Sequence, residues 1–297
     1  MSFRTFTPEE LSPSQRHHYL LGSVNPRPIC FASTLNAEGQ PNLAPYSFFN
    51  IFSSTPPIFI FSVNSRRDGS HKDTLRNVKE LPEVVINLVT YPIARQMAIC
   101  GVEFDTGINE FEKGGFTPIP SQRVQPFRVK ESPVQFECKV LEVRSLSDAP
   151  GAANLIMAQA VLIHMDEKIF DPHDHIDPQV LDTVGRMGNF NYSRASGESI
   201  FSIQQPPADI VVGFDRLPLS LRHSNILTGN QLARLAGVTQ LPQADASFQS
   251  LLRELIQAET TQSASEKLHR RIAEWIDAGQ INNAWLLILA AEQSGVV

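Results

Sequence analysis

At 297 residues, 42% hydrophobic and 19% charged, the chain is long enough to bury a full core as one large domain or two modest ones, which excludes a disordered polymer. The formal net charge of -6 argues against a surface built to coat nucleic acid or an anionic membrane, and no Lys/Arg run dominates any stretch. Cys30, Cys100 and Cys138 are odd in number, share no C-x-x-C spacing and lie in apolar runs, so buried free thiols are expected rather than disulfides or zinc ligands.

The opening "MSFRTFTPEELSPSQRHHYL" carries early acids and no apolar segment, and the longest late apolar run, "AWLLILAA" from Ala284, is too short to span a bilayer. A soluble, cytoplasmic protein with no membrane or nucleic-acid partner is expected. From about Pro28 to Gln205 come short segments rich in β-branched and aromatic residues: "ICFAST", "YSFFNIF", "IFIFSV", "VVINLV", "VQFECKVLEV", "LIMAQAVLIHM" and "SIFSIQ". Turn residues separate them, as in "NAEGQPN" and "STPP", and strands at this spacing favour a closed barrel or sandwich. Two helical patterns interrupt, "KDTLRNVKEL" and "PIARQMAICGV", the second with Pro92 suited to a first turn; both are expected to plug or cover the barrel. Beyond "QQPPADIVVGFDRLP" the chain reads as helix after helix, which places a first domain at 1–212 and a helical extension at 213–297. In that extension Thr228 stands at an N-cap position and Gly237 at a stop, while Phe248, Leu251, Leu252, Leu255 and Ile256 share one helical face.

The stretch "SVNSRRDGSHKDTLRNV" allows two readings. Ser70 to Asp73 fits the S-x-x-[DE] capping pattern, in which Ser accepts from the first turn and the acid reaches back. The same first turn also points free N–H groups outward, and Ser62, Arg66, Arg67, Ser70, Lys72 and Thr74 surround it with the cations and hydroxyls that suit phosphate oxygens. A second stretch, "CFASTLNAEGQPNLAPYSFFN", combines a hairpin with a backbone-accessible aromatic segment. Ala44 and Pro45 leave room for a flat ring, and the N–H groups of Tyr46 and Ser47 with the side chains of Ser33, Thr34, Ser47 and Asn50 suit the carbonyls and nitrogens of a heterocycle. An ordinary buried hairpin is the competing reading.

"VNPRPICFASTLNAEGQPNLAPYSFFN", followed in order by "PPIFIFS", "SHKDTLRN", "VVINLV", "INEFEKGGFTPIPSQRVQPFRVKESPVQFECKV" and "VGRMGNFNY", resembles the flavin reductase-like family of FMN-binding split β-barrels, which includes flavoredoxin. The resemblance covers roughly Gly22 to Gln205. It implies a mainly β fold with α, a six-stranded Greek-key split barrel carrying a C-terminal helical extension, usually a homodimer with FMN near the subunit interface. Ser33, Thr34 and the run Ala44, Pro45, Tyr46, Ser47 and Phe48 would then line the isoalloxazine and ribityl side. Arg66, Ser70, Lys72 and Thr74 would hold the phosphate, with Asp73 capping the helix. Tyr192 matches the family's aromatic near the flavin and is a candidate on the substrate side.

The implied function is an FMN-binding oxidoreductase: an NAD(P)H-dependent flavin reductase or a flavoredoxin-like electron-transfer protein. A non-catalytic FMN carrier or flavin store is the alternative. No catalytic side chain is named, because hydride transfer needs position rather than an acid or base. No G-x-G-x-x-G precedes a helix, so a nicotinamide dinucleotide would fold over the flavin. The loop "FDPHDHIDP" gathers His173 and His175 among three aspartates, but its spacing matches no metal motif; a solvated loop, with no metal, is the expectation.

Overall fold

A computed structural model describes residues 2–203, 211–257 and 261–296. The chain divides into two units, Met1–Phe201 and Ser202–Val297.

The first unit begins with α1 (Pro13–Ser23), followed by β1 (Cys30–Leu35), β2 (Pro41–Tyr46), β3 (Phe49–Ser54) and β4 (Pro57–Asn64). Next come α2 (Asp73–Glu80), β5 (Glu83–Leu88), α3 (Ala94–Ile99), α4 (Glu110–Gly114), β6 (Pro118–Ile119) and β7 (Arg128–Val129). The long strands β8 (Val134–Ser145) and β9 (Ala153–Met165), then α5 (Pro178–Leu181), β10 (Val184–Arg186) and β11 (Tyr192–Arg194), complete it.

Seven strands form one sheet in the order β2-β1-β5-β8-β9-β4-β3, with every neighbouring pair antiparallel. Its two edges, β2 and β3, are separated in sequence only by Ser47 and Phe48. One bent run of chain therefore supplies both edges and closes the sheet into a split barrel, which removes the exposed edges that an open sheet would leave. Counting that run once gives the six strands implied by the family resemblance. The bend is tied to β4 by the Ser62 N–H, which donates to the Phe48 carbonyl at 2.9 Å.

Neighbouring residues of β1 enter different cores. Cys30 and Ala32 join Phe61, Val63, Val84, Ile86, Ile156 and Ala158 inside the barrel, while Phe31 packs outside with Leu43, Met97, Phe111 and Phe116. A strand buried on both faces reads as a continuous apolar run, which is why "ICFAST" shows no polar alternation. Leu75 and Val78 of α2 plug the interior, and α3 supplies Met97 to the outer cluster. The three cysteines are buried free thiols.

Two buried carboxylates hold the loop before β7. Glu137 accepts N–H bonds from Gln122 (2.9 Å) and Arg123 (2.6 Å) and meets His164 Nε2 at 2.7 Å, while Glu83 accepts from Gln125 (2.6 Å) and pairs with Lys139. Burial alone would raise the Glu137 carboxyl, but these donors outweigh it and hold it below its usual range. The strand predicted at "SIFSIQ" does not form: Gly197–Ser199 is a 3-10 turn, Ile200 to Ile203 are irregular, and Gln204 lies outside the described residues.

The second unit contains α6 (Leu219–Arg222), α7 (Gly229–Ala236), α8 (Ala246–Ile256), α9 (Thr261–Asp277) and α10 (Ile281–Gln293). Thr228 caps α7 in a reciprocal box with Gln231, and Gly237 follows the last turn. Leu252, Leu268, Ile272, Ile276, Trp285 and Leu287 form its core, with the indole N–H of Trp285 given to the Leu235 carbonyl at 3.0 Å. Among the described residues no helix is long and apolar enough to cross a membrane.

Candidate functional site

Three segments of the first unit line a solvent-open cleft. β2 contributes Asn42, Ala44, Pro45 and Tyr46; the loop before α2 and its first turn contribute Arg66, Lys72, Asp73 and Thr74; Cys100 to Phe104 and Glu110 form the third wall.

The loop entering α2 turns at Gly69, whose φ of +86° lies in the region that a side chain disfavours. Asp68 captures Ser70 there, its Oδ1 accepting from the Ser70 N–H (2.9 Å) and hydroxyl (2.7 Å). This corrects the capping expectation: α2 starts at Asp73, Lys72 occupies the N-cap position, and no side chain caps the helix. The local Asp68 turn wins because its carboxylate is two residues away and satisfies both Ser70 donors at once. Nor does Asp73 cap. Its carboxylate accepts from Arg76 (2.8 Å) and Thr106 (3.4 Å). The first-turn N–H groups of α2 are therefore left without a capping side chain, and this is the arrangement that favours an anion. Arg66 donates to the carbonyl of His71 at 2.7 Å, bracing the loop, and Lys72 Nζ stands 3.2 Å from Glu103.

Behind this turn lies a polar network that sets which way a hydroxyl points. Tyr46 and the Asn42 amide each donate to Thr74 Oγ1 at 2.9 Å, while Asn42 (3.2 Å) and Asn77 (3.1 Å) donate to Thr34 Oγ1. An oxygen that accepts twice has its own hydrogen left to give. Thr74 is thus oriented as a donor at the first turn of α2. Burial pushes the Tyr46 phenol well up, so it stays a neutral donor. Burial also raises the Glu110 carboxyl, whose Oε2 accepts the Leu43 N–H at 3.0 Å, and pushes the Cys100 thiol up to about 12.

The structure brings Ala44, Pro45, Tyr46, Arg66, Lys72, Asp73 and Thr74 together in the cleft and places the other candidates elsewhere. Ser33 and Thr34 are wholly buried in β1 rather than exposed on a wall. Ser47 and Phe48 form the bend between β2 and β3, Asn50 lies exposed on β3, and Ser62 is buried on β4. The hydroxyls of Ser33 and Ser62 are buried without a hydrogen-bond partner, and Ser70 belongs to the Asp68 turn. Tyr192 is on β11, with the Arg186 guanidinium 4.6 Å from its ring centre, and is not a cleft residue. Asn42, the Cys100–Phe104 segment and Glu110 line the cleft although the sequence did not mark them as site residues. Glu110 stands in "INEFEKGGF", yet nothing local reveals that its carboxylate reaches β2. In the His/Asp loop, Asp171 accepts the N–H groups of His173 (2.8 Å) and His175 (2.9 Å), and Asp177 caps α5. Among the described residues no group of three or more His, Cys, Asp or Glu is placed to hold a metal ion.

With this geometry in place, residues 21–181 match the model of the flavin reductase like domain. The chain belongs to the flavin reductase-like family. Component B of a nitrilotriacetate monooxygenase from Bacillus cereus is 28% identical, with a TM-score of 0.64 over 68% of this chain and 100% of that one. The 2-nitrobenzoate 2-nitroreductase NbaA of Pseudomonas fluorescens is 31% identical, with a TM-score of 0.60 over 69% of this chain and 100% of its own. A protein with a split barrel domain from Shewanella frigidimarina shares the fold, at 22% identity and a TM-score of 0.59 over 68% of this chain and 100% of that one. The flavin reductase-like match lies wholly within the first unit, so the second unit is an addition to that domain.

Proposed function

We propose that the first unit binds FMN in the cleft between β2 and α2 and acts as an NAD(P)H-dependent flavin reductase. The observation that carries this reading is the set of phosphate donors at one helix start: the uncapped first turn of α2, the Lys72 ammonium and a Thr74 hydroxyl whose oxygen accepts from Tyr46 and Asn42, leaving its hydrogen to give. Family membership supports it. So do the nitroreductase and monooxygenase component among the similar structures, each an oxidoreductase by its description.

When bound, FMN supplies the hydride- and electron-accepting chemistry. The protein's part is binding and orientation. Lys72 offsets phosphate charge, Thr74 and the α2 N–H groups donate to its oxygens, and Arg66 holds the loop in shape through His71. Ala44 and Pro45 present a wall with little side-chain bulk for a flat ring. Glu110, by accepting the Leu43 N–H, fixes the strand from which that wall is built. No acid or base need move a proton for hydride transfer itself. A homodimer is part of the proposal, supported by the exposed Ile51 (53%) and Phe52 (64%) on β3, and so is a cytoplasmic location.

The same site would serve an FMN carrier that relays electrons to a partner protein. Anaerobic mixing of the FMN-loaded protein with NADH or NADPH separates the two. Bleaching of the oxidised-flavin absorbance within seconds supports the reductase; a spectrum unchanged by either nucleotide assigns the protein to carriage or storage.

A further inference from the structure

Three carboxylates face the cleft in which a phosphate is proposed to sit, and they are not equivalent. Asp73 is committed to Arg76 and Thr106, and Glu110 to the Leu43 N–H. Glu103 has a different partner, the Lys72 ammonium itself, at 3.2 Å.

We infer that Glu103 is a built-in competitor for the phosphate: its carboxylate occupies the Lys72 ammonium and has to withdraw when a phosphate ligand is seated. This rests on the reading of Lys72 and the α2 start as a phosphate seat. Two anions drawn to one ammonium repel each other and divide its charge, so a phosphate seated on Lys72 binds more strongly once Glu103 has moved away. The geometry favours the release of Glu103. Its side chain is 64% exposed, that of Lys72 is 33% exposed, and an ion pair so open to water is weak. The backbone on either side is held in place. Gly101 and Val102 donate to the carbonyls of Ala98 and Ile99 (3.3 and 3.1 Å), Phe104 donates to Val102 (3.0 Å), and Thr106 donates to Asp73. Withdrawal is therefore a rotation of one exposed side chain, with the wall left in place.

The consequence is selectivity. Glu103 lowers the affinity for any ligand that brings an anionic group to Lys72 and leaves an uncharged ligand untouched. It sets a threshold that weakly held anions fail to pass.

The test compares wild-type protein with Glu103→Gln, which keeps size and hydrogen bonding but removes the charge. Cofactor-stripped samples are titrated with FMN and with riboflavin, which lacks the phosphate, and FMN is then competed with inorganic phosphate. Circular dichroism verifies the fold. The expected result is FMN binding tightened by about two- to five-fold in Glu103→Gln, the scale of an exposed ion pair, with riboflavin unchanged and inorganic phosphate a better competitor. Unchanged FMN affinity in a protein that still prefers FMN to riboflavin overturns the role of Glu103 and leaves the seat standing. Equal tightening of FMN and riboflavin overturns it too, because the effect would not act through phosphate. If both proteins bind FMN no better than riboflavin, the phosphate seat is wrong and the inference falls with it.

Discussion

Tyr46 donates a hydrogen bond to Thr74 at 2.9 Å, joining the bent strand that closes the barrel to the first turn of the helix that plugs it. Thr74 is 1% exposed and accepts from Asn42 as well, so its hydroxyl oxygen is saturated from behind. Thr74→Val keeps the shape but strands the Tyr46 donor, and a buried unsatisfied donor costs about 1–3 kcal/mol. Thermal and denaturant unfolding should show that loss, together with weaker FMN binding. Thr74→Ser restores the oxygen and should recover most of both. Equal behaviour of the Val and Ser variants would show that the network does not orient the site.

Gly114 tests the packing beneath the third wall of the cleft. A Cβ added there would lie 2.5 Å from Cys100 Sγ and 2.9 Å from the Phe116 ring. Such overpacking costs about 1–3 kcal/mol. Gly114→Ala is expected to lower the denaturation midpoint, and adding Cys100→Ala should return part of the loss, a coupling that a double-mutant cycle measures.

The second unit is expected to carry its own pH dependence. Ser224 Oγ accepts the N–H groups of Ile226 and Leu227, both at 3.1 Å, and stands 2.9 Å from Nδ1 of His269. With its acceptor capacity used, the hydroxyl gives its hydrogen to Nδ1, so the neutral ring carries its proton on the buried, unpartnered Nε2. Burial lowers the His269 pKa below its ordinary 6.5. A base depressed in the folded state contributes stability that is present above the unfolded value and is lost as pH falls through the folded one. Melting temperatures taken from pH 8 downward should therefore fall through about 6.5 and below, and His269→Leu should flatten that dependence. An identical pH profile in the variant would remove His269 as its source.

The barrel was legible in the sequence because strands buried on one or both faces leave dense apolar runs, and α7 because Thr228 stands at its N-cap position and Gly237 at its stop. "YSFFNIF" reads as a single strand, and the structure shows why that is half the story: Ser47 and Phe48 bend it, so the chain before the bend pairs with β1 and the chain after it with β4. The helix start at "SHKDT" was legible to within a few residues, but its cap was not. Asp68 takes both donors of Ser70, its N–H and its hydroxyl, and that outcome depends on the turn at Gly69. Glu103 and Glu110 were opaque for another reason. They reach the cleft only because α3, α4 and β2 converge, and no local pattern records a contact 67 residues apart such as that between Leu43 and Glu110.

The most direct test of the phosphate seat is an equilibrium titration with FMN of the wild-type protein and Lys72→Ala, followed by quenching of flavin fluorescence. Lys72 is one-third exposed and caps nothing with its side chain, so its loss should leave stability within about 0.5 kcal/mol of wild type. The account predicts saturable FMN binding by wild type and an affinity lower by about ten-fold or more in Lys72→Ala, the scale of a charged hydrogen bond. FMN binding of equal strength in the two proteins, or none in either, would contradict it.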